Sequence, residues 1–192
     1  MKKILIIITI FFSTISTIGA EEIKRIFVGD KDAKITIIAY ESLTCSHCAN
    51  FHKDVYPELK KNYLDTGLAK IEFRHFPLDI AAFNASKVSQ CNNDGDSKIL
   101  NSLFANQQKW VKGSSIQEAN ENLKKFLVSE GYNVDFEKCI NDKEIEDFVL
   151  NDRIDAVKKF KISSTPTIII NDKKFEKSLN YKNLKKALEK LI

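Results

Sequence analysis

Two cysteines separated by two residues, Cys45-Ser46-His47-Cys48, stand where an apolar strand, Lys34 to Tyr40, runs through Glu41-Ser42-Leu43-Thr44 into a helix. This spacing suits thiol–disulfide exchange, which needs an exposed thiolate to attack or be attacked and a sheltered partner to resolve the mixed disulfide. A helix start supplies the first requirement, because its free N–H groups and dipole favour an anion there. Cys45 is therefore the expected nucleophile and Cys48 its partner. His47, beside the thiolate, is expected to stabilise it and so make the disulfide more oxidising. A binding reading stays open beside the redox one. Thiolates select copper(I) or zinc, and His47 or His52 would complete such a site, although no second Cys-x-x-Cys is present to close a structural zinc cage.

The remaining candidate groups read more plainly. His52 is expected on the surface of the helix, and His75, on the apolar side of a strand, as a hydrogen-bonded core residue. Cys91 and Cys139 fall near the apolar faces of two separate helices. Of the three pairings open to four cysteines, Cys45 with Cys48 and Cys91 with Cys139 leaves the exchange pair free; two buried free thiols are the alternative. A structural bond between Cys91 and Cys139 would close a loop worth about 4 kcal/mol in the chain-entropy model. Ser164-Thr165-Pro166-Thr167 precedes an apolar strand, where a proline does not simply continue a central ladder. There is no phosphate-binding glycine loop, no Gly-x-Ser-x-Gly and no His-Glu-x-x-His. No dissociable cofactor, metal or nucleic-acid partner is implied.

The elements that must position these groups are legible from periodicity. Lys2-Lys3, an apolar run from Ile4 to Phe12 continuing to Ile18, and Gly19-Ala20 have the three regions of a secretory signal, with cleavage expected after Ala20. Ser13, Thr14, Ser16 and Thr17 interrupt the apolar run and disfavour a retained membrane anchor. Removing residues 1–20 takes the charge balance from 30 basic against 26 acidic residues to 28 against 26, which selects no charged partner. Export also favours persistent disulfides.

The Lys34–Tyr40 strand carries Ile35, Ile37 and Ile38 and reads as buried on both faces. The following helix buries Phe51, Val55, Leu59 and Tyr63, with a kink expected ahead of Pro57 and an end at Gly67. Ala69 to Phe76 alternates as a second strand, giving a βαβ unit. From Asp79 to Phe160 only helical signals appear, four or five helices in all, one of them running from Leu100 to near Trp110 and another starting at the capping box Ser115-Ile116-Gln117-Glu118. Thr167 to Ile170 returns to strand, with a turn at Asn171-Asp172, a short partner near Phe175, and a closing helix bearing Leu184, Ala187, Leu188 and Leu191.

Gly29-Asp30 with Ala33, Cys45-Ser46-His47-Cys48 followed by Phe51-His52, the helical stretch and Thr165-Pro166-Thr167 together resemble the DsbA-like branch of the thioredoxin superfamily, over essentially the whole chain after residue 20. The resemblance implies an α/β thioredoxin fold, residues 21–78 and 161–192, interrupted by a helical insertion, 79–160. It implies Cys45 as nucleophile, Cys48 as buried partner, and a cis Pro166 against the pair, with Thr165 lending its backbone to an extended substrate. Two departures stand out: Ser46 where such oxidases usually have proline, and Ala39 where the family tends to keep an acid. Glu41, two residues along the strand on the same face, is the candidate proton acceptor for Cys48.

The activity so implied is a periplasmic thiol:disulfide oxidoreductase that passes its Cys45–Cys48 disulfide to reduced or unfolded client proteins and is reoxidised by a membrane-bound partner. An isomerase or reductase would use the same sulfurs. Dedicated isomerases of the superfamily usually carry an N-terminal dimerisation region, and about a dozen residues between the expected cleavage point and the first central strand do not make one. A monomeric oxidase is the expectation, although Thr165 resembles the residue often seen in isomerases.

Overall fold

A computed structural model describes residues 22–192; the expected signal and its cleavage point lie outside the described residues. The sheet is built from β1 (Ile26–Gly29), β2 (Ile35–Glu41), β3 (Ala69–His75), β4 (Thr167–Ile170) and β5 (Lys173–Lys174), in the order β1-β3-β2-β4-β5. β2 and β3 are parallel, with Ile37 opposite Ile71, while β1, β4 and β5 pair antiparallel to their neighbours. Parallel neighbours need a crossover, and the helical stretch that starts with the cysteine motif supplies it. β2, the central strand, is buried almost throughout, as its isoleucines require. At Gly29 the chain leaves β1 with φ +109, and an added Cβ would lie 2.5 Å from the Ala69 carbonyl oxygen, so only glycine fits.

The crossover is not a uniform α-helix. α1 (Ser46–Asn50) passes into π-helical turns at Phe51–Val55, then α2 (Tyr56–Leu59), then further wide turns at Lys60–Leu64. Tyr56 donates its backbone N–H to Phe51, five residues back, just ahead of Pro57, which has no N–H to give. The expected distortion before Pro57 therefore takes the form of a widened turn. An apolar residue every fourth position drifts around a 3.6-residue helix; interleaving wider turns keeps Phe51, Val55, Leu59 and Tyr63 buried together.

Six helices, rather than four or five, lie between the third and fourth strands: α3 (Ile80–Gln90), α4 (Lys98–Ala105), α5 (Gln107–Trp110), α6 (Ile116–Ser129), α7 (Phe136–Asn141) and α8 (Lys143–Phe160). The expected helix from Leu100 to Trp110 breaks at Asn106, which leaves helical backbone angles, and Gln107 begins a separate turn. Side chains of Asp79, Ser115, Asp135 and Asp142 cap α3, α6, α7 and α8. Cys91 and Cys139 are joined, with Cα atoms 5.5 Å apart, tying the end of α3 to α7. The main core runs from the sheet through Cys48 and the crossover into Leu103, Trp110, Leu123 and Phe136. A second, smaller core covers the other sheet face, where Ala156 of α8, Phe76 and Ile162 meet Ile38, Tyr40 and Ile169. α9 (Tyr181–Leu188) closes the chain on Leu184 and Leu188; Leu191 lies beyond the helix and is 46% exposed, so it does not share that buried face.

Candidate active site

The loop from β2 to the cysteines is held by hydrogen bonds from three sides. The Cys45 backbone N–H donates to the Ser42 carbonyl, and the Cys45 carbonyl accepts from Cys48 and Ala49, opening the helix. Gln107, the first residue after the Asn106 break, donates its side-chain amide to the carbonyls of both Leu43 and Cys45, at 2.7 and 3.0 Å. Thr44 donates to Asp79, the cap of α3, at 2.7 Å. The helical segment thus grips the loop at two points. Neither contact is visible from periodicity; the only sequence signal is a polar pair, Asn106-Gln107, within an otherwise apolar-faced helix.

Cys45 is half-buried and Cys48 is fully buried, both unbonded. The Cys45 thiol donates to the Thr165 carbonyl at 3.4 Å, across a cis Thr165–Pro166 peptide. A hydrogen bond from Cys48, the nearby Thr165 hydroxyl and the backbone N–H groups of Cys48 and His47 outweigh partial burial and lower the Cys45 pKa to about 5. Cys48 moves the opposite way: burial, its bond to Cys45 and the nearby Glu41 carboxylate all hold its proton on. The two sulfurs therefore differ in the sense that exchange chemistry needs, one a ready thiolate and the other a thiol. His47 presents its backbone N–H to the sulfur, while its ring is exposed and lines a depression of about 560 Å³ together with Phe51, Asp54, Thr165, Pro166 and Tyr181.

His52 is not the surface residue expected. Its side chain is 6% exposed, its Nε2 lies 2.9 Å from Glu41 Oε2, and its ring stacks on Phe104 at 4.1 Å. The cause is geometric: His52, Tyr56, Leu59 and Tyr63 follow a four-three-four spacing that faces the core as fully as Phe51 and Val55 do. That spacing was the available signal. Glu41, at the end of β2, is 4% exposed, and burial raises its pKa despite the imidazole beside it. His75 is buried and hydrogen-bonded to Gln90 at 3.3 Å, with burial lowering its pKa. Among the described residues, no group of three His, Cys, Asp or Glu side chains is placed to hold a metal ion.

A family model described as Thioredoxin matches residues 21–190. A Rickettsia bellii protein, provisionally named a protein-disulfide oxidoreductase, is 28% identical over 169 residues, covering 86% of this chain and 63% of that protein. The chain thus spans less than two thirds of that relative's length. Disulfide bond formation protein D of Bacillus subtilis is 26% identical, covering 85% of this chain and 75% of that one. The crystal structure of Wolbachia pipientis α-DsbA1 superposes with a TM-score of 0.76 at 31% identity, covering 87% of this chain and 90% of that one. Oxidised BdbD from Bacillus subtilis shares the fold, with a TM-score of 0.70 over 86% of this chain and 91% of that one, at 24% identity.

Proposed function

Because the chain belongs to the thioredoxin family, in its DsbA-like branch, we propose that it is an exported thiol:disulfide oxidoreductase that donates the Cys45–Cys48 disulfide to reduced or unfolded client proteins. The observation that carries this reading is the split between the two sulfurs, Cys45 lowered to about 5 beside a Cys48 that keeps its proton. A client thiolate attacks Cys45 Sγ, and the electron pair of the Cys45–Cys48 bond passes to Cys48. A second client thiolate then attacks the client sulfur of the mixed disulfide, and Cys45 leaves as the stable thiolate. The client becomes oxidised and the enzyme dithiol reduced. A low-pKa leaving thiolate favours this direction, because stabilising the reduced form makes the disulfide more oxidising.

In this reading the client's extended chain lies in the depression beside Thr165 and Pro166, with the His47 ring at its rim, and Glu41 serves as proton acceptor and donor for Cys48. The Cys91–Cys139 bond is structural, holding residues 79–160 as an insertion in the thioredoxin unit. The enzyme works as a monomer in the periplasm, delivered there by residues 1–20, and a membrane-bound partner reoxidises it without a dissociable cofactor. The test is to equilibrate the mature protein with glutathione redox buffers, and to compare oxidation of a reduced dithiol client with repair of a scrambled one. A potential well above the glutathione couple, with fast oxidation and poor repair, is the expected result; a more reducing potential with preferential repair would reverse the assignment to isomerase.

A further inference from the structure

A second cavity of about 560 Å³ lies on the other side of α1 from the Thr165–Pro166 depression. Its rim is made by the exposed residues Ser46, Asn50, Lys53 and Gln108, and its floor by His52, Tyr56, Asn101 and Phe104. Three buried polar atoms of that floor have no hydrogen-bond partner: His52 Nδ1, the Tyr56 hydroxyl and Asn101 Oδ1. Tyr56 stands near Ser97 and Asn101 without a bond of ordinary length. Buried polar atoms left unpaired are costly, and a polar, roomy space open at its rim is one that water enters.

His52 joins this cavity to the sulfurs. Its Nε2 is bonded to Glu41, whose remaining oxygen, Oε1, is buried without a partner and whose charge acts on Cys48. We propose that His52 is the proton relay of the buried thiol: Nε2 exchanges a proton with Glu41, Nδ1 exchanges one with water in the cavity, and Cys48 is thereby connected to solvent through Glu41 and His52. His52 acts through Glu41 and does not touch a reacting sulfur. The inference rests on the reading of Cys45 and Cys48 as an exchange pair.

The chemistry requires such a path in both directions. When a client thiolate bonds to Cys45 Sγ, Cys48 receives the electron pair of the broken disulfide and takes a proton from Glu41, which is refilled through His52. When Cys48 later attacks Cys45 and expels a bound thiolate, its proton leaves by the same route. An imidazole has two nitrogens, and in the neutral ring one donates while the other accepts, so it can pass a proton from one side to the other. Burial of Glu41 raises its pKa, which makes the carboxylate a better proton acceptor than an exposed one. The titratable groups around the His52–Glu41 pair are Cys45 and Cys48, which face Glu41 from the start of the crossover, and Tyr56 and Lys53 beside His52 on its own helix. β3 and α4 present Phe73 and Phe104 to the ring.

The reduced protein, mixed with excess dithionitrobenzoate, releases one coloured thiolate when Cys45 attacks the reagent and a second when Cys48 attacks the resulting mixed disulfide. General acid–base assistance contributes roughly 10²–10⁴-fold, so His52→Gln should slow the second release by about tenfold or more near neutrality and make it climb with hydroxide concentration. The first release should keep its rate. In His52→Ala, which opens the floor of the cavity, added imidazole should restore the second release while leaving the parent protein unaffected. A second phase with unchanged rate and pH profile in both variants would overturn the relay. So would a slowed phase that neither follows hydroxide nor responds to imidazole, since that marks a packing role. Absence of a fast first phase in the parent protein would instead refute the reading of Cys45, and the relay with it.

Discussion

Replacing Cys48 by alanine removes the largest contribution to the Cys45 thiolate, the hydrogen bond across the pair, and leaves the backbone N–H groups and Thr165 in place. A hydrogen bond to a charged group is worth roughly 1.5–3 kcal/mol, and because Cys45 is only half-buried, solvent screening takes the lower end or less. With about 1.4 kcal/mol to a pKa unit, Cys48→Ala should raise Cys45 by about one unit. At pH 5 the thiolate fraction would then fall from about one half to about one tenth, a fivefold loss in alkylation rate. Cys48→Ser keeps a donor at the same place and should stay close to the parent. Iodoacetamide kinetics against pH read Cys45 alone in both variants, since Cys91 and Cys139 are bonded to each other. If Cys48→Ala titrates like the parent, the backbone alone holds the thiolate and the reasoning from the sulfur pair fails.

Cys91→Ala with Cys139→Ala should lower unfolding stability by about 4 kcal/mol, the chain-entropy value for the loop, while the Cys45 alkylation profile stays unchanged; chemical denaturation alongside alkylation checks both. Glu41 holds its proton to higher pH in the folded chain than in the unfolded one. Its contribution to stability is thus greatest below the unfolded value and declines as pH rises through the folded one. Urea unfolding across the mildly acidic to neutral range should show a decline in the parent that Glu41→Gln loses; equal slopes would refute the assignment.

Much of this architecture is written in local pattern. β3 alternates buried and half-buried residues from Ala69 to His75 as its sequence alternates, and the strand-to-helix placement of the cysteine pair follows from the apolar run before it. Capping side chains at Ser115 and Asp135 mark helix starts that the structure keeps. The site's supporting contacts are less local. Glu41 meets His52 across 11 residues and Gln107 meets Cys45 across 62, and no periodicity encodes which polar side chain will reach which backbone carbonyl. The break at Asn106 is not legible in the sequence because Leu100, Leu103 and Phe104 continue in register to Trp110, and packing rather than propensity divides them.

The contact between Cys45 and Thr165 spans 120 residues, and β4, which pairs with the central strand, follows Thr165 directly. During synthesis at roughly 5–20 residues per second, a chain long enough to show its cysteine pair lacks the strand that completes the sheet beside it. Until that segment arrives, Cys45 has no Thr165 against it and β2 has no β4 beside it, so one of the groups that hold its thiolate is still missing. The nucleophile therefore acquires its full reactivity only when a contact across 120 residues closes.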